Sequence, residues 1–260
     1  MLAVDRTEPI AGTPNSVARA LVDHLYAQNL VPIPGVDIGT AYLLAARDER
    51  VGGDLIDAYQ FNNGSIAISV ADISGKGVKA AARAAMVKYG LRAYVSSGLT
   101  PAQVLRNLNQ LYIETTTFNT DDDPNSFVTV FLGIIDPEHR VMMYASAGHD
   151  PVILLSPDHA PVSLPPTAPI VGILEEAKLF HQRFVYLEPG GSAVIATTDG
   201  VTEARSPDGR FAKREDLMAL IGANRLLPAQ EQADALLQAT SDFCSGQPQD
   251  DAAIIVACFR

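Results

Sequence analysis

The chain has 260 residues, of which 47% are hydrophobic and 19% are charged. This balance is typical of a folded protein with a substantial core, and it excludes a disordered chain of low hydrophobicity. The 30 acidic residues outnumber the 19 basic ones, which gives a formal net charge of −11. Nucleic acids and anionic membrane surfaces attract an excess of lysine and arginine, so the charge argues against both as partners.

Cysteine usage and the N-terminus both indicate the compartment. The two cysteines, Cys244 and Cys258, form no CxxC pattern and no disulfide framework, as is typical of a reducing environment. The first residues include acidic side chains and no long apolar run, unlike a secretory signal. No stretch approaches the roughly 20 apolar residues of a membrane span. We therefore expect a cytoplasmic protein.

A short helical segment is predicted before the main part of the chain. Apolar residues from Val17 to Leu25 recur at intervals of four, and the sequence VPIPG at 31–35 then ends the helix. We place a boundary there, with a lead-in at 1–34 and one domain at 35–260. The lead-in either packs on that domain or mediates dimerisation or regulation, and both alternatives stay open.

The rest of the chain contains predicted strands and helices. Asn-Asn-Gly at 62–64 and Asp-Pro-Glu at 136–138 are turn signals between paired strands. Strands are predicted at 36–45, 59–61, 65–71, 127–135, 140–147, 152–155, 183–187, 193–197 and 252–259. Helices are predicted at 78–96, 101–115, 213–221 and 228–243, with Thr100 as the N-cap of the second. Hairpins of neighbouring strands predict an α+β fold: two stacked antiparallel sheets with helices outside.

Four aspartates lie next to predicted strand ends. Asp72 and Asp199 follow apolar strands, Asp54 follows two glycines, and Asp250 precedes the last strand. Strand ends of a sandwich meet at one edge, where four carboxylates repel one another unless cations neutralise them. A set of oxygen ligands without histidine or cysteine suits Mg²⁺ or Mn²⁺. Each aspartate alone also fits a turn or a helix N-cap, so the prediction depends on the set.

The motifs around these aspartates resemble a known family. In chain order they read GGD at 52–54, ADISGKG at 71–77, AGHDP at 147–151, APIVG at 168–172, TTDGVTEAR at 197–205 and QDDAAIIV at 249–256. Together they resemble the bacterial metal-dependent serine/threonine phosphatases of the PP2C type, in the branch of SpoIIE- and RsbU-like proteins. The resemblance covers residues 36–260, and the order and spacing of the motifs make it specific.

The resemblance implies an α-β-β-α sandwich with two Mn²⁺ or Mg²⁺ ions at one edge, and it implies the catalytic residues. Asp72 is similar to the aspartate that bridges both ions, and the backbone carbonyl of Ile73 adds a ligand. Asp54 is similar to the acidic ligand of one ion, and Asp199 and Asp250 are similar to ligands of the other. A water molecule that bridges the ions is then the expected nucleophile.

Three further residues are weaker candidates for the site. Asp251 completes the family's Asp-Asp pair and is expected behind the ligands. Lys76 either binds the substrate phosphate as a point charge or merely lies in a glycine-rich turn between strand and helix. Gly53 is expected to let the backbone approach a ligand. His149 is interpreted as a turn residue, and the acidic run at 121–123 as a solvated loop.

Some positions depart from the family pattern. Leu55 and Ile56 follow GGD where aromatic residues are common, and Ala253 stands where the last motif usually carries threonine. Neither departure removes a predicted ligand. No general acid is evident beside Asp72, so the proton donor for the leaving group stays unassigned.

Two functions are compatible with the resemblance. The first is a phosphatase that hydrolyses phosphoserine or phosphothreonine on a signalling protein, and the family branch implies a STAS-domain anti-sigma-factor antagonist. The alternative is a catalytically silent or self-inhibited module that acts through protein contacts. A homodimer is a further expectation, and so is gating of metal occupancy by a shift of the helices at 78–96 and 101–115.

Overall fold

The computed structural model describes residues 33–43, 53–61, 64–75, 77–118, 125–174 and 176–259. Ten strands within these residues form two antiparallel five-stranded sheets. Sheet A has the order β1-β10-β9-β6-β7, and sheet B has the order β2-β3-β4-β5-β8. The strands are β1 Val36–Leu43, β2 Leu55–Gln60, β3 Ile66–Ile73, β4 Val128–Asp136, β5 Val141–Ala147, β6 Val152–Leu155, β7 Val162–Leu164, β8 Arg183–Tyr186, β9 Ser192–Thr197 and β10 Ala252–Phe259.

Helices cover the outer face of each sheet. They are α1 Val78–Ser96, α2 Pro101–Phe118, α3 Asp199–Thr202, α4 Arg214–Ala223 and α5 Ala229–Phe243, with a 3₁₀ turn at Ala177–Leu179. Residues of α1 and α2 share an apolar cluster with sheet B, and residues of α4 and α5 share one with sheet A. This architecture confirms the predicted α-β-β-α sandwich. No helix within the described ranges is long and apolar enough to cross a membrane.

The central strands are apolar on both faces because both faces are buried. In β3, Ile66, Ile68 and Val70 pack between the sheets, while Ala67 and Ala71 face the helices. Strand β10 alternates in the same way between the two apolar clusters and is buried along its whole length. Strands β3 and β10 each pair with a neighbouring strand on both sides. The segments that flank them are therefore held firmly at the sandwich edge.

Local sequence signals explain several element boundaries. The backbone N–H of Thr100 donates to the side chain of Gln103 at 3.0 Å, and the carbonyl of Thr100 accepts from Val104 at the start of α2. This is one half of a capping box, in agreement with the predicted cap. Both cysteines are buried and form no disulfide.

The structure also adds elements that the sequence did not predict. Strand β7 is only three residues long and lies between prolines at 161 and 165, so it carries no readable alternation. The short helix α3 begins at Asp199 itself. Several predictions lie outside the described residues: the lead-in helix, the turn at 62–63, the loop at 121–124 and Lys76. The domain boundary at 34/35 stays a prediction.

An ion pair with a buried carboxylate joins α1 to sheet B at Asp57, three residues along the chain from Asp54. Asp57, on β2, accepts hydrogen bonds from Arg92 at 2.5 and 2.6 Å, and the Lys88 ammonium lies 3.8 Å away. The Arg92 guanidinium also stacks over the Tyr59 ring, 4.6 Å from its centroid. The Asp57 carboxylate is only 2% exposed, so its two cations supply the charge that water would otherwise solvate.

We expect Asp57→Asn to lower the free energy of unfolding by about 3 kcal/mol, because it removes one partner of a buried ion pair and leaves the cations behind. Urea denaturation measures this loss. Asp136→Asn is the matched control: that carboxylate is 47% exposed beside His139, and its removal is expected to cost less than about 1 kcal/mol. Equal losses in the two variants would contradict the account of the cluster.

Candidate metal centre

Antiparallel pairing brings the predicted aspartates to one edge of the sandwich. In sheet B, Leu55 pairs with Ala71, so Asp54 at the start of β2 lies beside the end of β3, where Asp72 lies. In sheet A, Ile254 pairs with Thr197, so the start of β10 lies beside the end of β9. The Asp250–Asp251 pair therefore lies next to Asp199.

Asp54 lies deepest among these carboxylates. Only 5% of the residue is exposed, and burial raises its pKa well above the usual value. The carboxylates of Asp72, Asp199 and Asp251 raise the pKa further, while a hydrogen bond from Thr198 lowers it. Asp54 thus lies in the electrostatic field of acidic residues from both sheets.

Asp199 experiences a second part of the same acidic field. Burial raises its pKa to about 6, and the carboxylates of Asp250, Glu203 and Asp150 add to this effect. The backbone N–H of Gly200 opposes it. These electrostatic interactions indicate that five carboxylates lie near one another at one edge: Asp54, Asp72, Asp199, Asp250 and Asp251.

Thr198 connects the two sheets at this edge. Its hydroxyl donates to Asp54 Oδ2 at 2.7 Å and accepts a hydrogen bond from the backbone N–H of Ala253 at 3.0 Å. The backbone N–H of Thr198 donates to the Ala253 carbonyl, also at 3.0 Å. The residue is fully buried. Sheet A therefore holds a carboxylate that belongs to sheet B.

Two glycines allow the backbone to pack closely around the carboxylates. A Cβ on Gly53 would lie 2.3 Å from the carbonyl oxygen of Ile73, and a Cβ on Gly200 would lie 2.0 Å from the carbonyl oxygen of Asp251. Side chains at these positions would push the neighbouring segments apart. Gly53 therefore holds the Asp54 segment against the Ile73 carbonyl, as expected if both face the same ion.

The arrangement fits hard cations by its chemistry. Among the described residues, no three histidine, cysteine, aspartate or glutamate side chains form a ready-made metal site. The crowded carboxylates nevertheless supply only oxygen donors, and burial together with their mutual repulsion raises the pKa values of Asp54 and Asp199. Divalent cations such as Mg²⁺ and Mn²⁺ would remove that repulsion. The assignment of individual ligands stays a prediction.

His149 lies in the turn after β5 but is buried, with 4% of the residue exposed. Its Nδ1 lies 3.1 Å from Oγ1 of Thr129, which is the cross-strand neighbour of Asp72. Burial lowers the pKa of His149 to about 4, against the opposing effects of Asp150 and the Thr197 backbone. The imidazole is therefore neutral at pH 7 and packs beneath the site.

A cavity of about 270 Å³ opens next to the carboxylates. Its floor is apolar, with Ile153 and Ile195 from sheet A and Leu217 from α4. Asp150 and Glu203, which raise the pKa of Asp199, lie on its wall. The acidic edge thus continues into a groove large enough for a side chain of another molecule.

The sequence predictions missed three polar residues of this region. Thr198 lies in the TTDGVTEAR motif, in which the sequence indicates only Asp199 as a site residue. Asp150 and Glu203 lie in the AGHDP and TTDGVTEAR motifs, and only the fold shows that their charge acts on Asp199. The hydroxyl of Thr202 donates a hydrogen bond to Asp150, which fixes this acidic side chain at the cavity wall.

Comparison with known proteins settles the family. Residues 62–260 match the sequence profile of Stage II sporulation protein E (SpoIIE). The chain belongs to the SpoIIE family. This confirms the resemblance found in the motifs.

A SpoIIE-family relative with a named activity is phosphoserine phosphatase RsbU of Bacillus subtilis (strain 168). It is 33% identical over 205 residues, which cover 77% of this chain and 58% of RsbU. The chain therefore spans just over half the length of this relative.

Solved structures share the fold. The RsbU and RsbW domains of Rv1364c from Mycobacterium tuberculosis match with a TM-score of 0.71 at 26% identity, over 88% of this chain and 61% of that one. The SiaA-PP2C domain of Pseudomonas aeruginosa matches with a TM-score of 0.74 at 19% identity, over 95% and 94%. The SpoIIE-family chain thus has the fold of a PP2C domain.

We expect Gly53→Ala to lower the free energy of unfolding by about 1–3 kcal/mol, because the added methyl group overlaps a backbone carbonyl that cannot rotate away. Gly90→Ala is the matched control. A Cβ at Gly90 would meet its nearest neighbour at an ordinary 3.4 Å, so we expect no loss of stability. Thermal unfolding of both variants tests this, and an unchanged Gly53→Ala protein would contradict the close packing.

The buried His149 predicts a pH dependence of stability. Its pKa is about 4 in the fold and about 6.5 in the unfolded chain, so only the unfolded chain is protonated between these values. Its contribution to stability is complete above pH 6.5, and about 3 kcal/mol is lost as the pH falls to 4. The free energies of unfolding of wild type and His149→Gln, measured by urea denaturation, should converge as the pH falls over this range. Parallel curves would show that His149 is not buried as a neutral group.

Proposed function

We propose that this chain is a metal-dependent phosphatase that hydrolyses phosphoserine or phosphothreonine on a protein. The observation that carries the proposal is the cluster of mutually repelling carboxylates at one sandwich edge, with Asp54 buried among them. Membership of the SpoIIE family supports it, as does the similarity to a protein named phosphoserine phosphatase RsbU.

In this proposal two Mn²⁺ or Mg²⁺ ions are held by five groups: the carboxylates of Asp54, Asp72, Asp199 and Asp250, and the carbonyl of Ile73. Such a pair of cations would neutralise the negative charge on the phosphoryl oxygens. It would also lower the pKa of a water molecule, so that this water can lose a proton near neutral pH. The chain itself contributes a rigid frame. Both sheets deliver their carboxylates from the ends of buried strands, so the ligands need little rearrangement on binding.

The substrate is proposed to be a phosphorylated signalling protein, with a STAS-domain anti-sigma-factor antagonist as the specific candidate. The family branch supports this, and one matched structure joins RsbU and RsbW domains in a single chain. The groove beside Asp150 and Glu203 offers a site for residues that flank the phosphoserine. Homodimerisation and a cytoplasmic location remain predictions.

A second function is favoured by one observation. The described residues contain no ready-made metal site, which fits a silent or self-inhibited module that regulates through protein contacts. The two functions differ in turnover with added metal. A phosphatase hydrolyses a phosphoserine protein when Mn²⁺ is supplied, and a silent module does not.

We expect Asp72→Asn to reduce Mn²⁺-dependent hydrolysis of p-nitrophenyl phosphate to the level seen with a chelator, because one carboxylate that both ions need is neutralised. The fold should persist, since the change relieves repulsion at the site. Asp208→Asn, on an exposed loop, is the matched control and should retain wild-type rates. Circular dichroism confirms the folding of each variant.

Full activity in a folded Asp72→Asn protein would contradict the metal assignment. Wild-type protein that binds Mn²⁺ but hydrolyses neither p-nitrophenyl phosphate nor a phosphoserine protein would favour the silent module.

A further inference from the structure

The hydroxyl of Thr198 uses both of its hydrogen-bonding functions at the candidate metal centre. A threonine hydroxyl carries one hydrogen, and here an oxygen lone pair accepts the N–H of Ala253. The hydrogen therefore points to Asp54 Oδ2, 2.7 Å away. Because the residue is fully buried, no water competes for these bonds.

This use of the side chain is unusual for its position. Thr198 is the N-cap of α3, and threonine at an N-cap normally accepts a hydrogen bond from the first turn of its helix. Thr198 makes no such bond. The helix loses a local stabilising contact, and the side chain bonds instead to a residue 144 positions away. A side chain that gives up the usual N-cap hydrogen bond and instead bonds a residue of an acidic site indicates a functional constraint.

We propose that Thr198 is a positioning residue for the bound cations: its hydroxyl holds Asp54 Oδ2, which leaves Oδ1 as the oxygen available to a metal ion. The inference rests on the proposed function, since it needs Asp54 to be a ligand. Hydrogen bonds to a ligating carboxylate orient it, and their removal typically weakens metal binding by about 10- to 100-fold.

The same hydroxyl connects the segments that carry the other predicted ligands. Thr198 directly precedes Asp199, and Ala253 follows the Asp250–Asp251 pair. One side chain thus sets the position of the sheet B carboxylate relative to the carboxylates of sheet A. No other side chain among the described residues is shown bonding Asp54.

Calorimetric titration of the metal-free chain with Mn²⁺ tests the inference. Thr198→Val keeps the shape and removes the hydroxyl, and we expect about 10- to 100-fold weaker binding. Thr198→Ser keeps the hydroxyl and should restore affinity close to wild type. Thr240→Val is the matched control: this buried threonine bonds only within α5, to Leu236, and its loss should leave Mn²⁺ affinity unchanged.

Thermal unfolding of the metal-free variants separates positioning from a structural role. If Thr198→Val lowers the unfolding temperature but binds Mn²⁺ as tightly as wild type, the hydroxyl only supports the fold and the inference is wrong. If Thr198→Val does not fold, Thr198→Ala removes the same hydroxyl in a smaller side chain, and wild-type affinity in that variant overturns the inference instead.

Failure of the proposed function gives a different result. Wild-type protein that takes up no Mn²⁺ overturns the metal centre and this inference together. Wild-type binding that is lost in Asp72→Asn but unchanged in Thr198→Val overturns only the role of Thr198.

Discussion

The repulsion between carboxylates at one edge of the sandwich is the constraint on which the rest of the site depends. Burial raises the pKa of Asp54, and the neighbouring carboxylates of Asp72, Asp199 and Asp251 raise it further. A fold gains nothing from such crowding unless a cation or a substrate requires it. The surrounding hydrophobic strands, the close glycine contacts and the Thr198 bridge all hold the carboxylates where they repel one another.

The two-sheet architecture explains how the chain withstands this repulsion. Strands β3 and β10 are buried on both faces and lie inside their sheets, so the segments at their ends cannot drift apart. Thr198 then joins the sheets through a hydrogen bond between side chains. Further from the edge, the Asp57–Arg92 ion pair fixes α1 on sheet B. The backbone around the site is therefore held firmly by packing and hydrogen bonds, while the carboxylates within it repel one another.

The fold can be predicted from the sequence, because turns and apolar strands are local signals: the turn at 136–138 and the apolar strands around it predict β4 and β5. The motifs also predict which acidic residues bind metal, and that assignment stays a prediction. Thr198 was not predicted, since only the fold brings its hydroxyl to 2.7 Å from the Asp54 carboxylate. Asp150 and Glu203 were missed for the same reason: their effect on Asp199 acts through space, not along the chain.

The central claim is that these carboxylates form a centre for two divalent cations. Crystals of the protein soaked with Mn²⁺ and measured near the manganese absorption edge test it most directly. We predict two anomalous peaks within coordination distance of Asp72, one also shared with Asp54 and the other with Asp199 and Asp250. Peaks elsewhere on the surface, or none at the sandwich edge, would contradict the account.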